Sequence, residues 1–275
     1  MITCKLVGGL GNQLFIIFAC ISYSILHNQN YCFEDSEKTI GVTYRTTYWK
    51  SLFDKLIPYL LSNNSLPHTD ITIKENNYFN NLTENKNVLL NDYFQSDKYF
   101  KNNYSTIIEL LDIENKKKTL LNENNLYSQQ MIDKCISIHF RIGDYIKLQD
   151  YHNILTIEYY KKALEYILLR IDFNPIFLYF CEVQNEVQVN EIILSLKNDF
   201  PKCIFQKIDG SLLDWEQLLL MSCCKHNIIA NSTFSWWGAY FNSYTDKIVC
   251  YPSQWFGPKN RYCIDDLFPE NWVKI

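Results

Sequence analysis

Cys135-Ile136-Ser137-Ile138-His139-Phe140-Arg141-Ile142-Gly143-Asp144-Tyr145 runs from an apolar stretch into a charged turn that contains a glycine. Residues 135–140 read as a strand, so the turn that follows lies at a strand's carboxyl end. Beyond it the pattern alternates. Helices are expected over 156–170, 187–198, 213–224 and 234–241, with strands over 176–181, 203–208, 227–230 and 247–251. Strands alternating with helices imply a parallel sheet covered on both faces. Ligands of such sheets bind beyond the carboxyl ends of the strands.

Reading upstream, residues 2–7 form a short apolar strand, Gly8-Gly9-Leu10-Gly11-Asn12 a turn, and residues 13–26 a mostly apolar helix. Tyr31-Cys32-Phe33 then reads as a strand closing on Glu34-Asp35, which completes a βαβ unit. Residues 36–86, with Pro58, Pro67 and many asparagines, read as loops and short helices, and 88–94 as a further strand. The polar stretch 112–130 carries Lys116-Lys117-Lys118 and reads as a solvated surface near a domain boundary. Two α/β units follow, 1–130 and 131–275, with the ligand cleft expected between them.

Composition narrows the function. Of the 275 residues, 47% are hydrophobic and 20% charged, as in ordinary globular domains. The net charge of −4 argues against broad nucleic-acid binding, which needs a basic face to replace counterions. Ten cysteines are scattered without a CxxC pair, and the side chains of the adjacent Cys223-Cys224 diverge, so they read as buried thiols of a reducing compartment. The apolar run 14–26 is shorter than the roughly 20 residues a membrane helix needs. No small-residue cleavage site follows it. The expectation is a cytoplasmic protein without an integral membrane segment, peripheral to a membrane where its substrate is membrane-borne. Nothing here sets the oligomeric state.

Three segments carry chemistry. In Gly8-Gly9-Leu10-Gly11-Asn12-Gln13, glycines between strand and helix allow a tight turn and a close ligand approach, and the helix start favours an anion. Three readings stay open: a plain turn, a ligand loop, or a dinucleotide site serving a nicotinamide-dependent oxidoreductase. Gly9 and Gly11 fit the last, but Leu14 stands where its third glycine belongs. In the second segment, His139 and Arg141 fall on one side by alternation. The planar fork of Arg141 suits a diphosphate, His139 can contact a base or take a proton, and Asp144 can hold Arg141, bind a sugar or act as base. A plain surface Arg–Asp pair competes with that reading. The third segment, Asn231-Ser232-Thr233-Phe234-Ser235-Trp236-Trp237-Gly238, joins a strand to a helix; its polar residues can cap the helix, bind phosphate, or both. Trp236-Trp237 reads first as core packing, and Gly238 as close packing against the sheet. No Asp-x-Asp suggests a metal held by a diphosphate, and no cofactor is expected.

In this order the three segments resemble the bacterial-type α-1,2-fucosyltransferases of glycosyltransferase family 11, whose pattern runs GGLGNQLF, HxRxGDY and NSTFSWWGA. Tyr93-Phe94-Gln95-Ser96-Asp97-Lys98-Tyr99-Phe100, Cys224-Lys225-His226-Asn227-Ile228-Ile229-Ala230 and the closing Phe268-Pro269-Glu270-Asn271-Trp272 resemble it too. The resemblance implies a GT-B-like fold of two Rossmann-type α/β domains. It also implies inverting, metal-independent transfer of L-fucose from GDP-β-L-fucose to an oligosaccharide acceptor, commonly at O2 of a terminal galactose. Residues 1–130 would form the acceptor side and 131–275 the donor side. Arg141 would bind the β-phosphate, His139 the nucleotide end, and Asn231, Ser232, Thr233, Phe234 and Ser235 the phosphates; the loop 8–13 would face the reaction centre, with Gly9 and Gly11 binding the donor and Asn12 near donor or acceptor. Many relatives have Phe-Ser-Asp-Asp where this chain has Phe180-Cys181-Glu182-Val183, which leaves Glu182 as the acid expected at guanine or ribose. Another deoxyhexose donor or linkage is the alternative within the family.

Overall fold

A computed structural model describes residues 1–39, 44–75, 86–123 and 127–275 of the chain. They divide into two units, Met1–Lys116 with Asp265–Pro269, and Lys117–Ile264 with Glu270–Ile275. The expected break at 130/131 therefore lies inside the second unit. The division separates adjacent lysines: Lys116 Nζ donates to Asp54 at 2.6 Å in the first unit, and Lys117 Nζ to the Phe241 carbonyl at 2.6 Å in the second.

The first unit opens with β1 (Ile2–Cys4) and α1 (Leu10–Leu26), and α1 is buried along nearly its whole length. That matches a helix apolar on all faces. Next come β2 (Phe33–Glu34), β3 (Leu60–Leu61), β4 (Ile71–Ile73), β5 (Val88–Leu90) and α2 (Tyr104–Leu110). The sheet order is β1-β5-β4, while β2 pairs with β3. The expected βαβ unit is thus loose: Tyr31 meets Ile2 through one isolated bridge, and β2 belongs to a separate pair. The strand expected over 88–94 stops early because Asp92 Oδ1 accepts from the Tyr93 N–H and Phe94 has φ +53°, which no strand continues through.

Residues 113–123 form α3 (Ile113–Glu123), where a solvated run was expected. Its triple lysine is only in part a surface feature, since Lys117 is 5% exposed. A long aliphatic stem crosses apolar surface while the ammonium ends on a helix-terminal carbonyl.

The second unit holds α4 (Gln129–Ile132), β6 (Cys135–His139), α5 (Ile157–Leu168), β7 (Ile176–Phe180), α6 (Glu186–Asp199) and β8 (Ile204–Lys207). It continues with α7 (Asp214–Cys223), β9 (His226–Ile228), α8 (Thr233–Tyr240), β10 (Val249–Tyr251) and β11 (Val273–Lys274). Every residue of β6 is buried, as a strand covered on both faces requires. α5 buries Tyr159, Tyr160, Ala163, Leu164 and Ile167, one helical face, against a core that includes Ile136, Ile138, Phe140 and Phe177. Gly238 packs α8 against α7 rather than against the sheet: a Cβ there would lie 2.9 Å from Met221 Cβ.

All six strands of this sheet are parallel, in the order β11-β10-β9-β6-β7-β8. The chain winds outward from β6 through β7 to β8, then returns to β9 on the other side of β6 and winds the opposite way. This is the doubly wound order, and its switch point lies between β6 and β9.

Candidate functional site

Loops leaving two adjacent strands in opposite directions must open a crevice at the sheet's carboxyl edge, and here the crevice falls between the second and third sequence segments. Residues 140–145 leave β6 and residues 229–232 leave β9. Tyr145 Oη donates to the Asn231 carbonyl at 3.0 Å, and the rings of His139 and Phe234 lie 5.5 Å apart. Neither contact is visible in sequence, where the segments stand some ninety residues apart.

Arg141 stands at the centre of this edge. Its Nη2 donates to Asp144 Oδ1 at 2.5 Å, its Nη1 to Glu182 Oε1, and its guanidinium lies 5.0 Å from the Tyr145 ring centroid. Its side chain is 18% exposed. Burial opposes its charge, but the carboxylates of Glu182 and Asp144 and the Tyr145 phenol outweigh burial and raise its pKa. Tyr145 in turn stacks on His152 at 4.5 Å and 15°. The Arg–Asp pair therefore exists, and it lies at the switch point.

Glu182, expected at a nucleotide base or ribose, sits just past β7, and its carboxylate lies on Arg141. Gln184 Nε2 donates to its other oxygen at 2.8 Å. Gly143, at φ +29°, makes room for it, because a Cβ at that position would collide with Glu182 Oε2. The Gly143 N–H donates to Asn185 Oδ1 at 2.9 Å, so the loop after β7 grips the turn after β6.

His139, at the end of β6, is 7% exposed. Burial first, and the Arg141 charge second, lower its pKa to about 3. The imidazole is neutral at physiological pH and too weak a base to hold a proton there. Its Nδ1 is buried without a hydrogen-bond partner among the described residues.

In the third segment, Asn231 Nδ2 donates to the carbonyls of Asn153 at 2.8 Å and Trp255 at 3.1 Å, which ties the loop down. Ser232 caps α8, accepting from the Phe234 N–H at 3.3 Å, while Thr233 and Phe234 are half-buried. Ser235 is fully buried, and its hydroxyl contacts the Ala230 and Ser232 carbonyls at 3.4 and 3.3 Å. That hydroxyl is turned to the backbone rather than to solvent. Trp236 and Trp237 are core residues at 0% exposure.

The glycine-rich turn belongs to the first unit. Gly8 has φ +78°, and an ideal Cβ on it would lie 2.5 Å from Asn12 Nδ2. Gly9 precedes α1 with open space where a side chain would stand, and Gly11 is buried within the helix. Gln13, fully buried, braces the turn by donating to the carbonyls of Gly8 at 3.1 Å and Thr46 at 2.8 Å. Asn12 Oδ1 accepts from Gln95 Nε2 at 3.0 Å, and the Gln95 N–H donates to Glu75 Oε1 at 2.8 Å. Burial, helped by nearby Asp92, raises the Glu75 pKa. Sequence reading placed Glu75 in an irregular stretch and gave it no role; only Gln95 lay in a noted segment. Among the described residues, no group of three His, Cys, Asp or Glu side chains is arranged to hold a metal ion.

Parallel-sheet α/β units, with a charged arginine and a polar helix start gathered at a switch point, have the architecture of a GT-B-like fold. The chain belongs to glycosyl transferase family 11, whose model matches residues 69–275. It is 26% identical to the Escherichia coli O-antigen biosynthesis glycosyltransferase WbnK, over 98% of this chain and 99% of that protein. It is 25% identical to an Escherichia coli alpha-1,2-colitosyltransferase, over 100% of this chain and 99% of that protein. Its fold is similar to that of a mutant of Arabidopsis thaliana FUT1 solved in complex with GDP, with a TM-score of 0.53 and 9% identity, over 90% of this chain and 69% of that one. Family membership removes the nicotinamide-dependent oxidoreductase reading of the glycine turn.

Proposed function

We propose that this enzyme transfers L-fucose from GDP-β-L-fucose to a sugar hydroxyl, O2 of a terminal galactose, with inversion, in glycan biosynthesis on the cytoplasmic side. The observation that carries the reading is Arg141, held charged at the carboxyl end of β6 beside the start of α8. In-line attack by the acceptor hydroxyl at the anomeric carbon breaks the bond to the β-phosphate oxygen, and negative charge grows on the departing GDP. Arg141 meets that charge with a planar fork, and such contacts strengthen as the leaving group departs. The neutral His139, with Nδ1 unpartnered, accepts a hydrogen bond from the nucleotide end and is not the base. Asp144 is spoken for by Arg141. Positioning and leaving-group stabilisation therefore supply most of the rate. The second unit takes the donor, helped by Gly9 and Gly11; the first, with Asn12 and the Glu75–Gln95 pair, takes the acceptor.

The name of the alpha-1,2-colitosyltransferase supports a 1,2 linkage and a second reading in which the donor carries colitose. The test is incubation with GDP-fucose, a colitose donor and other nucleotide sugars against an acceptor panel, followed by NMR of the product linkage. Turnover of GDP-fucose to an α-1,2-fucoside is expected. Exclusive use of the colitose donor selects the second reading, and an equatorial or retained linkage sinks the inverting mechanism. Because no metal enters this chemistry, EDTA should leave the rate unchanged; a strict Mn²⁺ or Mg²⁺ requirement contradicts it.

A further inference from the structure

Arg141 brings one positive charge to this edge, and two carboxylates already face it, Asp144 and Glu182. His139 is neutral and adds nothing. An incoming diphosphate therefore meets a fork that is occupied and a local charge of the wrong sign. The two carboxylates are not equivalent. Asp144 lies three residues along the same turn as Arg141 and moves with it. Glu182 reaches in from the loop after β7, and its side chain is 38% exposed.

The setting of the Glu182 carboxylate is that of a bound anion. Arg141 Nη1 donates to one oxygen, Gln184 Nε2 donates to the other at 2.8 Å, and the missing Cβ of Gly143 leaves the space it fills. A phosphate group has the same needs: two donors from different loops and a backbone it can approach closely.

We propose that Glu182 is a positioning residue that occupies the Arg141 fork as an internal stand-in for the donor's diphosphate, and that diphosphate binding displaces it. The inference rests on the donor reading above, but it concerns the anion rather than the sugar. Glu182 keeps the guanidinium oriented in the empty enzyme, and every anion that binds there must compete with it. Removing the competitor should tighten binding, whereas removing a donor contact or a structural strut should weaken it.

The experiment is calorimetric titration of the wild-type chain, Glu182→Gln and Glu182→Ala with GDP and, separately, with inorganic diphosphate. Circular dichroism and thermal melts check each fold. Both variants should bind diphosphate and GDP about tenfold more tightly than wild type, the scale expected for removing one partly exposed charge beside the site. Arg141→Ala in either background should abolish the gain. Unchanged or weaker diphosphate binding in the folded Gln variant overturns the inference, as does diphosphate that binds neither wild type nor variants. If diphosphate tightens as stated but GDP binds none of the proteins, the inference stands and the GDP donor reading fails.

Discussion

At Arg141, charge and geometry separate. The residue is held charged, and its fork is oriented by Asp144 at 2.5 Å and by Glu182. If it stabilises the departing diphosphate, Arg141→Ala should lower kcat/KM for transfer by at least about 10²–10³-fold, the range seen when one oriented transition-state donor is removed. Arg141→Lys should recover little of it, because an ammonium keeps the charge and loses the fork. Steady-state rates on protein shown to be folded decide the matter, and near-wild-type turnover in the Ala variant sinks the assignment. At this scale much was legible. Strand-end position and residue type marked Arg141, Asp144 and His139. The role of Glu182 was not legible, because its partner lies 41 residues away and only strand pairing brings β6 and β7 side by side. The burial of Ser235 was not legible for a related reason: a hydroxyl near a helix start looks like its neighbours until the helix phase turns it into the core.

At the scale of the element, α8 shows how packing and site share one segment. Its first residues face the switch point, and its middle is buried to 0% exposure at Trp236 and Trp237. Gly238 sets the approach of α8 to α7. Gly238→Ala puts a Cβ 2.9 Å from both Cβ and Sδ of Met221, a distance that real Cβ contacts do not tolerate without movement. The variant should lose about 1–3 kcal/mol of stability, as overpacked cores do, measured by the urea midpoint. A midpoint within error of wild type contradicts the packing argument. At the other end of the same helix, Lys117 Nζ donates to the Phe241 carbonyl at 2.6 Å and Lys247 Nζ to the Ala239 and Asn242 carbonyls at 2.8 and 2.6 Å. Cations here complement the negative end of the helix dipole. The alternation of strands and helices beyond residue 134 was legible to within a few residues, because apolar periodicity is a local property. The triple lysine was not, since its burial depends on a helix end more than a hundred residues away.

Across the whole molecule, buried histidines tie stability to pH. His139 is lowered to about 3 by burial and by Arg141, and His226 to about 4 by burial and by Lys225. For His226 the geometry agrees, because its Nδ1 accepts from the Ile248 N–H at 2.9 Å and protonation there would break that bond. Both folded values lie below the ordinary histidine value near 6.5. Between the two values the unfolded chain holds the proton and the folded chain does not, so acid favours unfolding. Stability should be full above pH 6.5 and fall by about 2–3 kcal/mol per pH unit from roughly pH 6 towards 4, summed over the two groups. Urea midpoints between pH 7 and 4.5 measure it, and His226→Asn should flatten the slope by about half. A midpoint that does not move over that range overturns the argument.

The sequence by itself determined the strand–helix alternation, the parallel class of the larger sheet, and the three segments by which this chain resembles its family. Each of these is written in the local order of residue types. Only the tertiary structure decided that β6 and β9 are neighbours at a switch point, that Tyr145 and His139 meet the Asn231–Phe234 segment, and that Glu182 rests on Arg141. Those facts depend on which strands pair. Pairing is chosen by burial summed over the whole core, and no short stretch of residues carries that sum.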